Sequence, residues 1–370
     1  MRARRWLGVA AVATAGIAVG GAGAANARVD APAANPAAAA PPIKHLFIIN
    51  IENKGYAKTW GPTSKAPYLA RTLRSKGVLL SDYYGTAHNS QPNYIAQISG
   101  QGPNRKMQYG CVVYSPFKVT GTAAYGQYVG SGCVFPAQVK HLPGQLQAKG
   151  LRWKGYMQDM GTPCRHPAIG AKDDTQHAEV GDQYAARHNP FVYFRSIIDS
   201  PSCEKNVVDL SRLTTDLRSV ATTPNYVYIS PDLCNDGHDI PCVDGRAGGL
   251  PQIDKWMKAW VPKILDSPAF KQDGALVITA DEAETRDSTA CCGEGPAPNA
   301  PLPGIDGLGG GRIGALVISR FARPGTATTR DYNHYSLLAS TQDIFTVPYL
   351  GYAAKPALPR FGRDVWNAAW

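Results

Sequence analysis

The chain has 370 residues, with 38 Lys and Arg against 28 Asp and Glu, for a formal charge of +10. The cations are scattered rather than run together, which argues against a nucleic-acid groove and reads first as a solvated basic surface, with attraction of anionic substrates by a diffuse positive field as the alternative. No stretch beyond the first 27 residues is apolar enough to span a bilayer, so a membrane span is not expected in the mature chain.

Those first residues open with Arg2, Arg4 and Arg5, continue through an Ala/Gly/Val-rich run from Trp6 to Ala25, and end in the small-residue pattern Ala25-Asn26-Ala27. This is the layout of a secretory signal peptide over 1–27, which predicts a secreted protein; the general and twin-arginine export routes both stay open. Residues 28–42 (RVDAPAANPAAAAPP) lack periodicity and read as a disordered lead-in, with a single domain expected over 43–370. Eight cysteines, at 111, 133, 164, 203, 234, 242, 291 and 292, all follow the cleavage point. An even number in an exported chain predicts disulfide-stabilised loops, and no Cys-x-x-Cys or ligand-spaced His pair supports zinc instead. The pairing stays open.

The folded part starts at His45–Ile51 (HLFIINI), a continuous apolar run as expected of a strand buried on both faces. Similar runs recur at Val78–Tyr83, Tyr226–Ser230, Ala275–Ala280 and Ala315–Ser319. Between them lie helical segments at Lys65–Lys76, Gln138–Lys149, Leu250–Leu265 and Tyr335–Phe345, the first two ending before Gly77 and Gly150. The alternation predicts an α/β sandwich with a mainly parallel central sheet. Residues Cys292–Gly311, rich in Gly and Pro, form a long loop.

In open α/β sheets ligands lie beyond the carboxyl ends of the strands. The polar residues found there are Glu52-Asn53, then Asp232, Asp236 and His238 in PDLCNDGHD, then Asp281-Glu282, and Asn333-His334 before the last helix. Each has an ordinary alternative as a helix cap or turn residue. Together they suggest a site, because adjacent carboxylates at a buried sheet end repel unless a cation joins them. Glu52, Asn53, Asp281 and Glu282 offer hard oxygen donors suited to Mg²⁺, Ca²⁺ or Mn²⁺. Ser90 precedes Pro92, which predicts that the serine stands at a helix N-terminus, where N–H groups and the helix dipole favour an alkoxide and a phosphate.

Taken in order, IKHLFIINIEN, HNSQPNYIAQISG, RHNPFVYF, PDLCNDGHD, LVITADE and NHYSLLASTQDIF resemble the motifs of the bacterial phosphoesterase family, which includes non-specific phospholipases C and secreted acid phosphatases within the alkaline phosphatase superfamily. The resemblance implies an alkaline-phosphatase-like three-layer sandwich and a metal-dependent phosphoric-ester hydrolase. It implies Ser90 as nucleophile, passing through a phosphoserine, and Glu52, Asn53, Asp281 and Glu282 as metal ligands alongside the Ser90 Oγ. Asn93, His188, Asp236 and His88 would contact phosphate, and His238 or His334 would assist departure of the alcohol. A histidine donor suits mildly acidic to neutral solution. The sequence departs from the family pattern at Lys54-Gly55, Asn89 and Ala280, none of them a proposed ligand.

A phosphomonoesterase of acid phosphatase type is therefore expected, acting on a small-molecule or lipid phosphate ester. The alternative is a phosphodiesterase of phospholipase C type, although the long extra C-terminal sequence of large phospholipases C is absent. A metal-free serine esterase using Ser90 and His334 lacks its Gly-x-Ser-x-Gly elbow. A non-catalytic anion-binding protein would have shed a ligand or the nucleophile. Oligomeric state is not legible.

Overall fold

Every residue of the first strand, β1 (His45–Ile51), is buried. The computed structural model describes residues 40–284 and 286–367, so the signal segment and most of the Ala/Pro-rich lead-in fall outside the described residues. The other strands of the main sheet are β2 (Val78–Leu80), β3 (Trp153–Met157), β4 (Val207–Asp209), β5 (Tyr226–Ser230), β6 (Gly274–Ala280), β7 (Ala315–Ser319) and β8 (Thr326–Thr328). Their spatial order is β8-β2-β7-β6-β1-β5-β3-β4. All pairings are parallel except those of β7, which runs antiparallel to both neighbours.

Side chains alternate across a strand, and β1 shows what each face meets. Phe47 packs on Phe270 of the Pro268–Asp273 helix, ring centroids 6.1 Å apart. Asn50, on the opposite face, accepts a hydrogen bond of 2.8 Å from Gln97 in the Ser90–Ser99 helix. The first layer also holds the Gly249–Leu265 helix, whose Asp254 caps the turn at Tyr68 and Leu69. The second holds the Leu142–Ala148 and His334–Phe345 helices. Burying Phe47, Ile48 and Ile49 between two such layers contributes about 1.5–3 kcal/mol per side chain. The fold is thus the expected α/β arrangement on a mainly parallel sheet.

Local details differ. The Val78–Tyr83 run breaks at Ser81-Asp82 into β2 and a two-residue strand, Tyr83–Tyr84, that pairs with Tyr332–Asn333. Lys65–Lys76 is a wide π-helical segment at Tyr68–Leu73 followed by one tighter 3₁₀ turn. β3 gave no apolar run because Lys154 and Gly155 interrupt it, Lys154 reaching out to Asp216 at 2.6 Å. The helix within Gln138–Lys149 starts only at Leu142, where His141 caps it.

All eight cysteines are paired, as Cys111–Cys133, Cys164–Cys203, Cys234–Cys242 and the adjacent Cys291–Cys292. Cys234–Cys242 closes the loop that carries Asp236 and His238. No described helix is long and apolar enough to cross a membrane.

The His141 cap is a pH-sensitive joint. Its Nδ1 accepts the Gly144 N–H at 3.0 Å and its Nε2 meets the Ser196 hydroxyl at 2.8 Å. Burial pushes its pKa down to about 4, so the fold holds neutral imidazole. Because the folded value lies below the unfolded one of about 6.5, this contribution is present above pH ~6.5 and is lost as pH falls through about 4. His141→Asn, which caps without titrating, should flatten that part of the acid-side loss, at most about 3 kcal/mol, in urea melts recorded across the interval.

Candidate active site

The register of the central strands assembles the site. β1 and β6 align Ile51 with Ala280, so Glu52 and Asp281 emerge side by side one residue beyond the sheet. On the other side of β1 lies β5, whose following loop returns Asp236 to Glu52: the Glu52 N–H donates to the Asp236 carbonyl at 2.9 Å. Glu52 and Asp281 are wholly inaccessible and Asp236 nearly so.

The Ser90–Ser99 helix delivers the nucleophile candidate. Asn89 occupies the cap position, so Ser90 is the first helical residue rather than the cap itself. Its hydroxyl donates to Glu52 Oε2 at 2.7 Å. Tyr94, one helical turn on, donates its hydroxyl to the other carboxylate oxygen, Oε1. Residues at i and i+4 share a helix face, and that spacing lets one helix grip both oxygens of one carboxylate. The Tyr94 ring also stacks on His188, with centroids 5.4 Å apart and planes 2° from parallel.

His188 lies between two acids, with Nδ1 3.1 Å from Asp236 Oδ2 and Nε2 3.5 Å from Glu52 Oε2. Burial, then the nearby Arg187 and His238, hold its pKa well below the ordinary histidine value. Two buried cations flank the acids. Lys54 spends its ammonium on the carbonyls of Glu52 and Gly237, both at 2.9 Å, and Asn53 at 3.3 Å. Arg187 holds the Gln176 carbonyl at 3.0 Å and turns Nη2 toward His238 Nε2 at 3.4 Å. His238 is one-third exposed and its Nδ1 is held by Asp239 at 2.7 Å.

Several residues picked from the sequence serve other uses. Asn93 is saturated: its Oδ1 accepts from the Thr86 N–H, the Thr86 hydroxyl and the Ala87 N–H, and its Nδ2 donates to the Ala87 and Asn89 carbonyls. It shapes the nucleophile loop and has no donor to spare for phosphate. His334 is fully buried; Nε2 donates to the Asp281 carbonyl at 2.5 Å while Nδ1 faces the Tyr83 hydroxyl at 3.1 Å and Gln97 Nε2 at 3.2 Å. Burial pushes its pKa down to about 4, so it carries no spare proton. Its place is behind Asp281, fixing that backbone. Asp232 accepts from the Cys234 and Asn235 N–H groups and is a turn residue. Glu282 pairs with His88 Nδ1, whose Nε2 donates to the Asp287 carbonyl at 3.0 Å. Burial pushes the Glu282 carboxyl up to about 8, with His88 pulling against it. Asn53 enters through its backbone, whose N–H donates to Asp281 Oδ1 at 2.9 Å from a left-handed conformation with φ 50°.

Tyr94, Lys54 and Arg187 are the residues not singled out beforehand. Tyr94 was accessible to reasoning through its i+4 spacing from Ser90. Lys54 and Arg187 carried no comparable signal, because a lysine or arginine in a chain reads as solvated surface until burial is known.

The electrostatics ask for a cation. Burial raises the Glu52 carboxyl well above the ordinary range, with Asp281 and Asp236 adding repulsion against the Tyr94 and Ser90 hydrogen bonds. Burial likewise raises Asp236 and Asp281. Asp281 Oδ2 and His188 Nε2 are buried with no hydrogen-bond partner among the described residues. Donor atoms of Glu52, His188 and Asp236 all lie within 4.8 Å of one another. Converging buried carboxylates beside one partnerless oxygen and one partnerless ring nitrogen fit a divalent metal ion.

The model of the Phosphoesterase family matches residues 62–348. A probable acid phosphatase of Kluyveromyces lactis is 23% identical over 311 residues, covering 83% of this chain and 59% of that protein. A phosphatidylinositol-3-phosphatase of Mycobacterium tuberculosis is 23% identical over 332 residues, covering 90% of this chain and 85% of that protein. The chain spans only 51–59% of the fungal acid phosphatases it matches. A solved structure from Vibrio parahaemolyticus in the alkaline phosphatase superfamily shares 11% identity at a TM-score of 0.48, over 89% of this chain and 74% of that one. With the family model matched over residues 62–348, most of the chain, the chain belongs to the Phosphoesterase family.

Proposed function

We propose that the chain is a secreted, metal-dependent phosphomonoesterase of acid phosphatase type, with one catalytic domain over 43–370 and Ser90 as nucleophile. The observation that carries this reading is the hydrogen bond from the Ser90 hydroxyl to Glu52, made at a helix N-terminus amid buried carboxylates. The first-turn N–H groups of that helix are suited to receive phosphoryl oxygens. Relatives named acid phosphatases support the activity, and four disulfides accord with an oxidising, extracytoplasmic compartment.

Glu52 orients the Ser90 hydroxyl and takes its proton as Oγ attacks phosphorus in line with the departing alcohol. His238, held by Asp239 and the most accessible histidine of the cluster, passes a proton to the leaving oxygen. It then takes one from the water that attacks the phosphoserine, and as the phosphorus–Oγ bond breaks Glu52 returns its proton to Ser90 Oγ, releasing inorganic phosphate. Tyr94 keeps Glu52 in place throughout. Glu52, Ser90 and Asp281, with His188 and Asp236 adjoining, are the groups that would hold a divalent ion, while Asn53 steadies Asp281 through its backbone; Mg²⁺, Ca²⁺ or Mn²⁺ suits their mostly oxygen character. Bound there, such an ion neutralises the acids and lowers the Ser90 hydroxyl pKa.

Two outcomes are expected. Ser90→Ala should lower turnover of nitrophenyl phosphate by about a thousandfold or more without loss of the folded state by circular dichroism. Exhaustive chelation should abolish turnover and lower the melting temperature, both restored by a divalent ion, because Glu52, Asp236 and Asp281 are otherwise left unneutralised. Full turnover and an unchanged melt in chelator would instead favour a metal-free esterase. Faster cleavage of the bis-nitrophenyl diester than of the monoester would move the reading to the phospholipase C type.

A further inference from the structure

Away from the active site, exposed apolar side chains are unevenly spread. Six of the eleven large exposed hydrophobic residues among the described residues are Tyr109, Val112, Val113, Val119, Tyr125 and Ile169. Single exposed apolar residues are ordinary; a concentration of them is informative.

Five of these six gather around the base of one hairpin, and Tyr125 stands in the turn at its tip. The Cys111–Cys133 disulfide ties the Tyr109–Val113 turn to the base of a two-stranded hairpin, Lys118–Ala123 with Gln127–Ser131. Val113 pairs with Lys172 in an antiparallel bridge, and the Gly170 N–H beside Ile169 donates to the Tyr114 carbonyl at 2.8 Å. Lys106, Pro116, Lys118, Val129 and Gly130 line an open groove of about 780 Å³ along the hairpin.

The charge of the region is predominantly positive. From Tyr83 to Gln158 the chain contains no Asp or Glu, while Arg105, Lys106 and Lys118 stand exposed among the apolar residues, with Lys172 beside Val113. Asp174 is the exposed acid nearest Lys172 in sequence. Lys and Arg stems lie along apolar surface while their charged ends seek anions, and tyrosine favours the boundary between hydrocarbon and water.

We propose that this hairpin face is a docking surface for an anionic lipid bilayer. The apolar side chains enter the headgroup boundary and the cations pair with anionic headgroups, the combination that holds peripheral proteins on membranes. A soluble polyanion would engage the cations and leave Val112, Val113 and Val119 with no role. The same region reaches the catalytic end of the molecule, since Asn89, next to Ser90, donates its side-chain amide to the Gln108 carbonyl in the turn carrying Arg105 and Lys106. The proposal does not require the phosphatase reading to hold.

Flotation of the purified protein with vesicles tests it. The protein should rise with phosphatidylcholine vesicles containing phosphatidylglycerol and stay down with phosphatidylcholine alone. Lys106→Ser with Lys118→Ser should weaken binding by about fivefold per lysine removed, and Tyr109→Ser with Val113→Ser should also release the protein. Turnover of nitrophenyl phosphate by these variants, whose positions lie outside the active site, should equal the parent's. Parent protein that fails to float with the anionic vesicles at low salt overturns the proposal. Undiminished flotation of the folded Tyr109→Ser, Val113→Ser variant overturns it too, by reducing the surface to a polyanion site. Flotation is scored on its own, so loss of the phosphatase reading would leave the result intact.

Discussion

The buried carboxylate of Glu52 is the constraint around which this molecule is organised. It stands at the end of the central strand with no access to water, and three neighbours answer that fact: Ser90 and Tyr94 donate to its two oxygens, and His188 faces it from the side. An unpaired buried charge is costly, so each group that lowers the cost is fixed in place by doing so. A serine hydroxyl aimed by a carboxylate and a histidine clamped between acids are consequences of solvating one residue without water.

A second layer of contacts keeps that arrangement from relaxing. Gln97 joins sheet to helix by donating to Asn50 and accepting from Tyr228, and it also meets His334, which in turn holds the Asp281 backbone. The 287–311 segment braces the other side. Its Gly310 exchanges hydrogen bonds with Gly85 and Ala283, and the Pro303 carbonyl accepts the His88 N–H. At Gly310 an added Cβ would lie 2.2 Å from the Ala87 carbonyl oxygen, so the close approach of this loop to the nucleophile loop depends on glycine. The long Gly/Pro-rich stretch is therefore packing material for the site.

Much of the fold was legible in local sequence. β1, β5, β6 and β7 are continuous apolar runs, and a strand buried on both faces needs nothing else to announce it. β3 and β4 were not legible. Lys154 looks like a solvent-facing residue until Asp216 is brought beside it, and a three-residue edge strand has no period to detect. The clustering of Glu52, Asp236 and Asp281 was foreshadowed by their position after strands, because a parallel sheet collects its carboxyl ends on one side. The order of motifs pointed to the same family whose model matches residues 62–348.

The amino-acid sequence by itself determined the strands of the core, the mainly parallel sheet, the even disulfide framework and the set of polar residues from which the site is drawn. These follow from runs and spacings that act over a few residues. Tertiary structure alone decided how those residues are used. Asn93 and His334, so similar in type to phosphate ligands and acid catalysts, have their hydrogen-bonding capacity consumed by protein partners. Lys54, Arg187 and Tyr94 join the site because folding sets them against partners far away in the chain, the Gly237 carbonyl, the His238 ring and the Glu52 carboxylate. Hydrogen-bond capacity and burial are properties of a place in space, and residues as far apart as Glu52 and Asp281 share such a place only once the register of the sheet is set.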